Sequence, residues 1–106
     1  MAKFLWKASY TSEGVKGVLN EGGTGRRAVV EKAVEALGGK LESLYFALGE
    51  HDLYAIADLP DTVAATAVSL TVNASGMVAL QTVELLTPEQ VDEANKKSVV
   101  YRPPGA

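Results

Sequence analysis

The sequence holds a single histidine, His51, and imidazole is the side chain most often used as a general base. His51 lies in the run Gly49-Glu50-His51-Asp52. Read for chemistry, His51 is a general base tuned by Asp52 or Glu50. Read for structure, the same run is a hairpin turn in which glycine permits the bend and Asp52 bonds backbone amides. A second candidate is Gly22-Gly23-Thr24-Gly25-Arg26-Arg27. A glycine-rich run ahead of a helix, followed by Arg26 and Arg27, could hold an anion through backbone amides and the helix dipole. The plainer reading is a helix break whose arginines face solvent. The strand aromatics Trp6, Tyr10, Tyr45 and Tyr54 form a third group, able to line a ligand pocket between sheet and helices or to pack as core and interface.

Other chemistries are excluded by residue type or spacing. Gly17 to Thr24 superficially matches a phosphate loop, but Gly23 occupies the position that demands lysine. No GxGxxG dinucleotide fingerprint occurs, and no GxSxG elbow presents any serine as a nucleophile. Without cysteine there is no disulfide, thiol nucleophile or thiolate metal site. One histidine rules out a histidine-rich metal centre, and the carboxylates show no ligand spacing, so neither metal nor cofactor is expected. Ten Lys and Arg against 13 Asp and Glu give a net charge of −3, and no basic stripe suggests nucleic acid. A 47% hydrophobic fraction excludes a disordered chain. The segment Met1–Lys7 alternates with lysines where a signal peptide would be continuously apolar. No run approaches the roughly 18 apolar residues of a membrane span. Asn73-Ala74-Ser75 matches a glycosylation acceptor, but without a secretory signal the expected location is the cytoplasm.

The elements that must position these residues follow from periodicity. A chain of 106 residues supports one domain, expected over residues 1–98, with 99–106 as an extended tail around Pro103-Pro104-Gly105. Residues 2–10 alternate, placing Phe4, Trp6, Ala8 and Tyr10 on one side and Lys3, Leu5, Lys7 and Ser9 on the other. A helix carrying Val15, Val18 and Leu19 is expected to break at Gly22–Gly25. A second begins near Arg26, with Val30, Ala33, Val34 and Leu37 as its apolar stripe and Gly38 or Gly39 as its stop. Lys40–Leu48 and Leu53–Leu59 read as a strand hairpin. In the first of these, Leu44, Phe46 and Leu48 are expected opposite Leu41, Tyr45 and Ala47. Asp61 caps a further helix with Ala64, Ala67, Val68 and Thr71 on its stripe. Met77–Leu86 is the last strand, and Thr87-Pro88-Glu89-Gln90 opens a final helix running to about Lys97.

The order β-α-β-β-α-β is that of an α+β, ferredoxin-like domain, a four-stranded antiparallel sheet with its main helices on one face. Both faces of the strands read as largely apolar, whereas a solvated face should be polar at every second position. A second copy packing open sheet face to open sheet face would resolve this, giving a homodimer or higher homo-oligomer. The alternative is that the C-terminal helix and tail fold back over that face.

From Phe4 to Gln90 the chain resembles the GYD domain family, small bacterial and archaeal proteins of largely unassigned function. The resemblance is carried by Tyr10-Thr11 with Gly14, Leu37-Gly38-Gly39-Lys40, Leu48-Gly49-Glu50-His51-Asp52-Leu53, Leu59-Pro60-Asp61, Gly76 with Thr82, and Leu86-Thr87-Pro88-Glu89. The Gly-Tyr-Asp signature is altered here: Glu50-His51 stands between Gly49 and Asp52, so a tyrosine hydroxyl at that place is lost while Asp52 carries over. The resemblance implies a dimeric α/β-barrel type of fold and no established activity. Two functions are therefore expected to compete. One is a homo-oligomeric ligand-binding or interaction module with a small molecule among Trp6, Tyr10, Tyr45, Tyr54, Arg26 and Arg27. The other is a cofactor-free oxygenase or isomerase for a small aromatic or carbonyl compound, which by fold analogy needs His51, Asp52 and a tyrosine at one cavity.

Overall fold

The computed structural model describes residues 1–106. Along the chain run β1 (Ala2–Tyr10), α1 (Ser12–Glu21), α2 (Gly23–Ala36), β2 (Lys40–Phe46), β3 (Leu53–Leu59), α3 (Thr62–Ala74), β4 (Val78–Leu85) and α4 (Pro88–Asn95). The strands form one antiparallel sheet in the order β2-β3-β1-β4, the ferredoxin-like arrangement. The first crossover is split into two helices. The split is narrower than the glycine run implies: Gly22 alone, at φ 81°, leaves the helical path, and Gly23, Thr24 and Gly25 already belong to α2. A left-handed residue of this kind is cheap only for glycine. No helix is long and apolar enough to cross a membrane.

The alternation in β1 does what period two requires. Phe4, Trp6 and Ala8 are buried and pair across the ladder with Ala57, Ala55 and Leu53 of β3. Val34 from α2 and Ala65 from α3 close over them, completing a core of nine buried hydrophobic residues. With alanine at Ala8, Ala55 and Ala57 on the sheet, the core is small. In α3 the buried stripe is rotated from the expected one: Ala65 is its buried residue, Ala64 and Val68 pack beside it, and Ala67 and Thr71 face solvent. In α1 the expected valine and leucine face is not buried; Val15 and Leu19 are exposed and Gly14 is the buried residue. The reason is steric. Thr11 anchors the turn by donating its amide to the Met77 carbonyl at 3.0 Å, and α1 then passes so near β4 that a Cβ on Gly14 would overlap that oxygen.

In β2 the expected facing fails at Leu41. The pairing with β3 slips between Leu41 and Ser43, so that Leu41 and Leu44 both reach the helix side, opposite Ala57 and Ala55. A bulge inserts an extra residue on one strand and resets which side the following residues face. The strand also stops at Phe46, and Leu48 projects fully into solvent from the hairpin loop.

The other face of the sheet is uncovered. Its central row runs Ser43, Ile56, Leu5, Val83; a second row holds Tyr45, Tyr54, Lys7 and Gln81. A third row is charged: Lys3, beside its ladder partner Asp58 at 3.1 Å and also paired with Glu42, has its ammonium pKa held above the usual lysine value by Glu42 and Asp58. The face is thus less apolar than strand composition alone implies, an apolar centre within a polar surround. The C-terminal helix does not cover it. Thr87 and Gln90 form the expected reciprocal cap, but no residue of α4 is buried, and Val99, Val100 and Tyr101 beyond it are exposed. Consequently the chain exposes 7417 Å², whereas a monomer of 11.2 kDa is expected to expose about 5,700 Å². Its radius of gyration is 16.9 Å, against about 13 Å for a compact domain of this length.

Candidate functional site

Between the sheet and the helices lies a cavity of about 120 Å³, thirteen of whose fourteen lining residues are hydrophobic. Trp6, Ala8 and Ala55 on the sheet form one wall. Val30 of α2 and Val68 of α3 are among the residues opposite, and Arg26 is the one charged residue. The cavity exists because the sheet offers alanine at Ala8 and Ala55, leaving space that the valines of the helices do not fill. Valines at Val30 and Val34, and at Val68 and Val72, recur four residues apart and so share a helix face. That spacing is the signal in the sequence that could have marked Val72 and the cavity roof beforehand.

Two of the expected ligand residues meet here. Tyr10 and Arg26 line the cavity and also line a larger, more polar recess of about 450 Å³ beside it, which includes Glu13 and Glu21. Burial raises the Tyr10 phenol above its ordinary pKa of 10.0; the neighbouring Arg26 guanidinium offsets part of that rise, and the charges of Asp52 and Glu21 add to it. Tyr10 is therefore a neutral O–H donor at physiological pH. Arg26 makes a long contact of 3.5 Å from Nη1 to Glu21 Oε1, with its side chain about one-quarter exposed. A guanidinium carries five N–H donors, so this contact leaves most of them available. Trp6 is buried to 3% exposure, and its indole Nε1–H has no hydrogen-bond partner; neither has the hydroxyl of Thr82, its ladder neighbour on β4. An unpaired buried donor of this kind costs about 1–3 kcal/mol.

The remaining expected residues lie elsewhere. Tyr45 and Tyr54 pair with each other across β2 and β3 on the open face, and Tyr45 is 71% exposed. Neither lines the helix-side cavity. Strand parity separates them from Trp6 and Tyr10, and the shared aromatic character of the four says nothing about side. Arg27 points away from Arg26, reaching Glu31 at 3.9 Å on the exposed surface of α2. The first turn of α2 carries no side-chain cap.

His51 and Asp52 part company as well. The hairpin closes through the Ala47 amide to the Asp52 carbonyl at 2.8 Å, and the Asp52 amide donates to the Ala8 carbonyl at 2.9 Å. The Asp52 carboxylate accepts the Tyr10 backbone amide at 2.8 Å. Asp52 thus holds the end of β1, the structural role open to it from the sequence. His51 lies near Ser9, with Nδ1 3.3 Å from Oγ, and edge-on to the Tyr54 ring at 5.8 Å. Both neighbours belong to the open face, and His51 does not line the helix-side cavity. The structure brings Asp52 beside the cavity tyrosine Tyr10 but turns His51 to the open face, so the three do not converge on the cavity. No group of three or more His, Asp or Glu side chains is arranged to hold a metal ion.

A family model described as the GYD domain matches residues 4–94. No curated protein and no solved structure matches the chain.

Proposed function

The chain belongs to the GYD domain family, and from that premise we propose that it is a small homodimeric binding module. Two copies pack open sheet face to open sheet face, and each holds a small molecule in its helix-side cavity. The observation that carries this reading is the unlikeness of the two faces of the sheet. One face is covered by α2 and α3 and keeps a single apolar chamber edged by Tyr10 and Arg26. The other has an apolar centre at Leu5, Ile56 and Val83 within a polar surround, and neither α4 nor the tail covers it. An apolar centre with a polar rim is how protein interfaces are built.

The alternative, a cofactor-free oxygenase or isomerase, has less support. Its one imidazole, His51, lies on the open-face side away from the cavity, and the Asp52 carboxylate is engaged with the Tyr10 backbone amide. Binding needs neither group.

A native mass spectrum of the protein as purified tests the reading. Two chains per particle at micromolar concentration are expected, with any retained small molecule adding up to one equivalent per chain. A single chain per particle at that concentration overturns the dimer.

A further inference from the structure

The polar groups around the cavity are of one kind. Trp6 Nε1–H, the Tyr10 hydroxyl and the Arg26 guanidinium can all donate, and one of them carries positive charge. Trp6 lines the chamber, and its buried Nε1–H has no partner. Tyr10 and Arg26 stand where the apolar chamber meets the polar recess, so a ligand reaching both compartments lies against them. Its buried part must be apolar and its exposed end must accept hydrogen bonds. The chamber of about 120 Å³ is close to the cavities of roughly 150 Å³ that take a benzene ring. Charge then narrows the head group. Arg26 favours an anion, but Glu21 at 3.5 Å and Glu13 in the same recess oppose a second negative charge.

We propose that the cavity binds a small monocarboxylic acid, with a ring-sized or branched hydrocarbon body among Trp6, Ala55 and the valines of α2 and α3, and its carboxylate on Arg26 and Tyr10. This assignment rests on the binding reading above and adds the chemical class of the ligand. A planar carboxylate suits a guanidinium fork, which offers parallel N–H donors. A phosphate monoester is disfavoured by the two glutamates. A neutral carbonyl compound could accept from Tyr10 and Arg26 but would gain less from the guanidinium than an anion does, since hydrogen bonds between charged partners are stronger.

Trp6 is the only tryptophan of the chain, so the protein gives one indole N–H signal in a proton–nitrogen correlation spectrum. The test is titration of the full chain with benzoate, with its methyl ester and with inorganic phosphate, followed at that signal and by calorimetry. Benzoate is expected to bind one per chain at submillimolar concentration and to move the indole signal. The methyl ester should bind at least tenfold more weakly. In Arg26→Gln, checked for an unchanged amide spectrum, benzoate should weaken at least tenfold while the ester is unaffected. The ester comparison uses the unaltered protein and so does not depend on the variant folding. An ester that binds as well as the acid, or phosphate preferred to both, overturns the carboxylate assignment and leaves the cavity as a binding site. If neither benzoate nor the ester binds, the assignment falls together with the binding reading.

Discussion

Replacing Ala55 by leucine places the equivalent of about three additional carbons in the wall of the helix-side cavity. Ala55 is buried to 2% exposure and lines the chamber, whose volume is about 120 Å³. If that space is empty in the unliganded protein, each added carbon gains about 0.8 kcal/mol of burial. Ordering the longer side chain takes back about 0.5–1 kcal/mol. The net effect is a stabilisation of about 1.5 kcal/mol, which for a domain of this size raises Tm by about 6 °C or more. A packed core answers with the opposite sign, since added methylenes in a full interior cost about 1–3 kcal/mol. Thermal melts and urea titrations of Ala55→Leu beside the unaltered protein read the sign directly. The same variant should no longer take benzoate, because the ring and the leucine compete for one space. A fall in Tm would refute the open cavity, and benzoate binding that survived at full strength would place the ligand elsewhere.

Three further outcomes follow from the geometry. Ile56→Arg puts a charge at the apolar centre of the open face, so light scattering should show the particle mass halved while circular dichroism stays unchanged; a persisting dimer would mean that another surface forms it. Gly14→Ala forces a Cβ into the Met77 carbonyl and should cost about 2 kcal/mol or more in urea unfolding, whereas Gly17→Ala in the same helix meets open space and should gain about 0.5–1 kcal/mol. Equal effects of the two would contradict the close approach of α1 to β4. Tyr10 has a folded pKa raised above 10.0, so its contribution is fully present below pH 10 and is lost as pH rises through the folded value. Tm should therefore fall less steeply above pH 10 in Tyr10→Phe than in the unaltered protein.

Much of the fold is written in local pattern. Strict alternation in β1 identifies its buried face because period two admits only one pairing of Phe4 with Trp6 and Ala8. Thr87 and Gln90 mark the start of α4 because their side chains and the helix amides satisfy one another locally. What escapes local reading depends on contacts between distant segments. Nothing in the Lys40–Phe46 run reveals that the ladder slips after Leu41, since the slip is set by its fit to β3 and to the helices above. The glycine-rich run misplaces the helix break because three of its residues tolerate a helix and only Gly22 requires a left-handed turn. In the site, Trp6, Tyr10 and Arg26 are recognisable as candidates by residue type. That Tyr45 and Tyr54 lie on the far side follows from strand pairing. That the Trp6 indole stays unpaired beside the equally unpaired Thr82 hydroxyl of β4 follows from the packing of distant segments. His51 has the right chemistry for catalysis, but the hairpin delivers it to the face away from the cavity.

The arrangement of the two copies admits one direct measurement. The chain has no cysteine, so Lys32→Cys on the exposed side of α2 can carry a single spin label per copy. With open sheet faces together, the helices lie on opposite outer sides of the particle. Paired sheets stand about 10 Å apart, and a helix with its side chains is about 10 Å across, so the two labels should lie about 30 Å apart or farther. Pulsed dipolar spectroscopy resolving one distance in that range is the expected result. A distance below about 20 Å, which brings the helix layers together, or no dipolar coupling between copies, would contradict the sheet-to-sheet dimer.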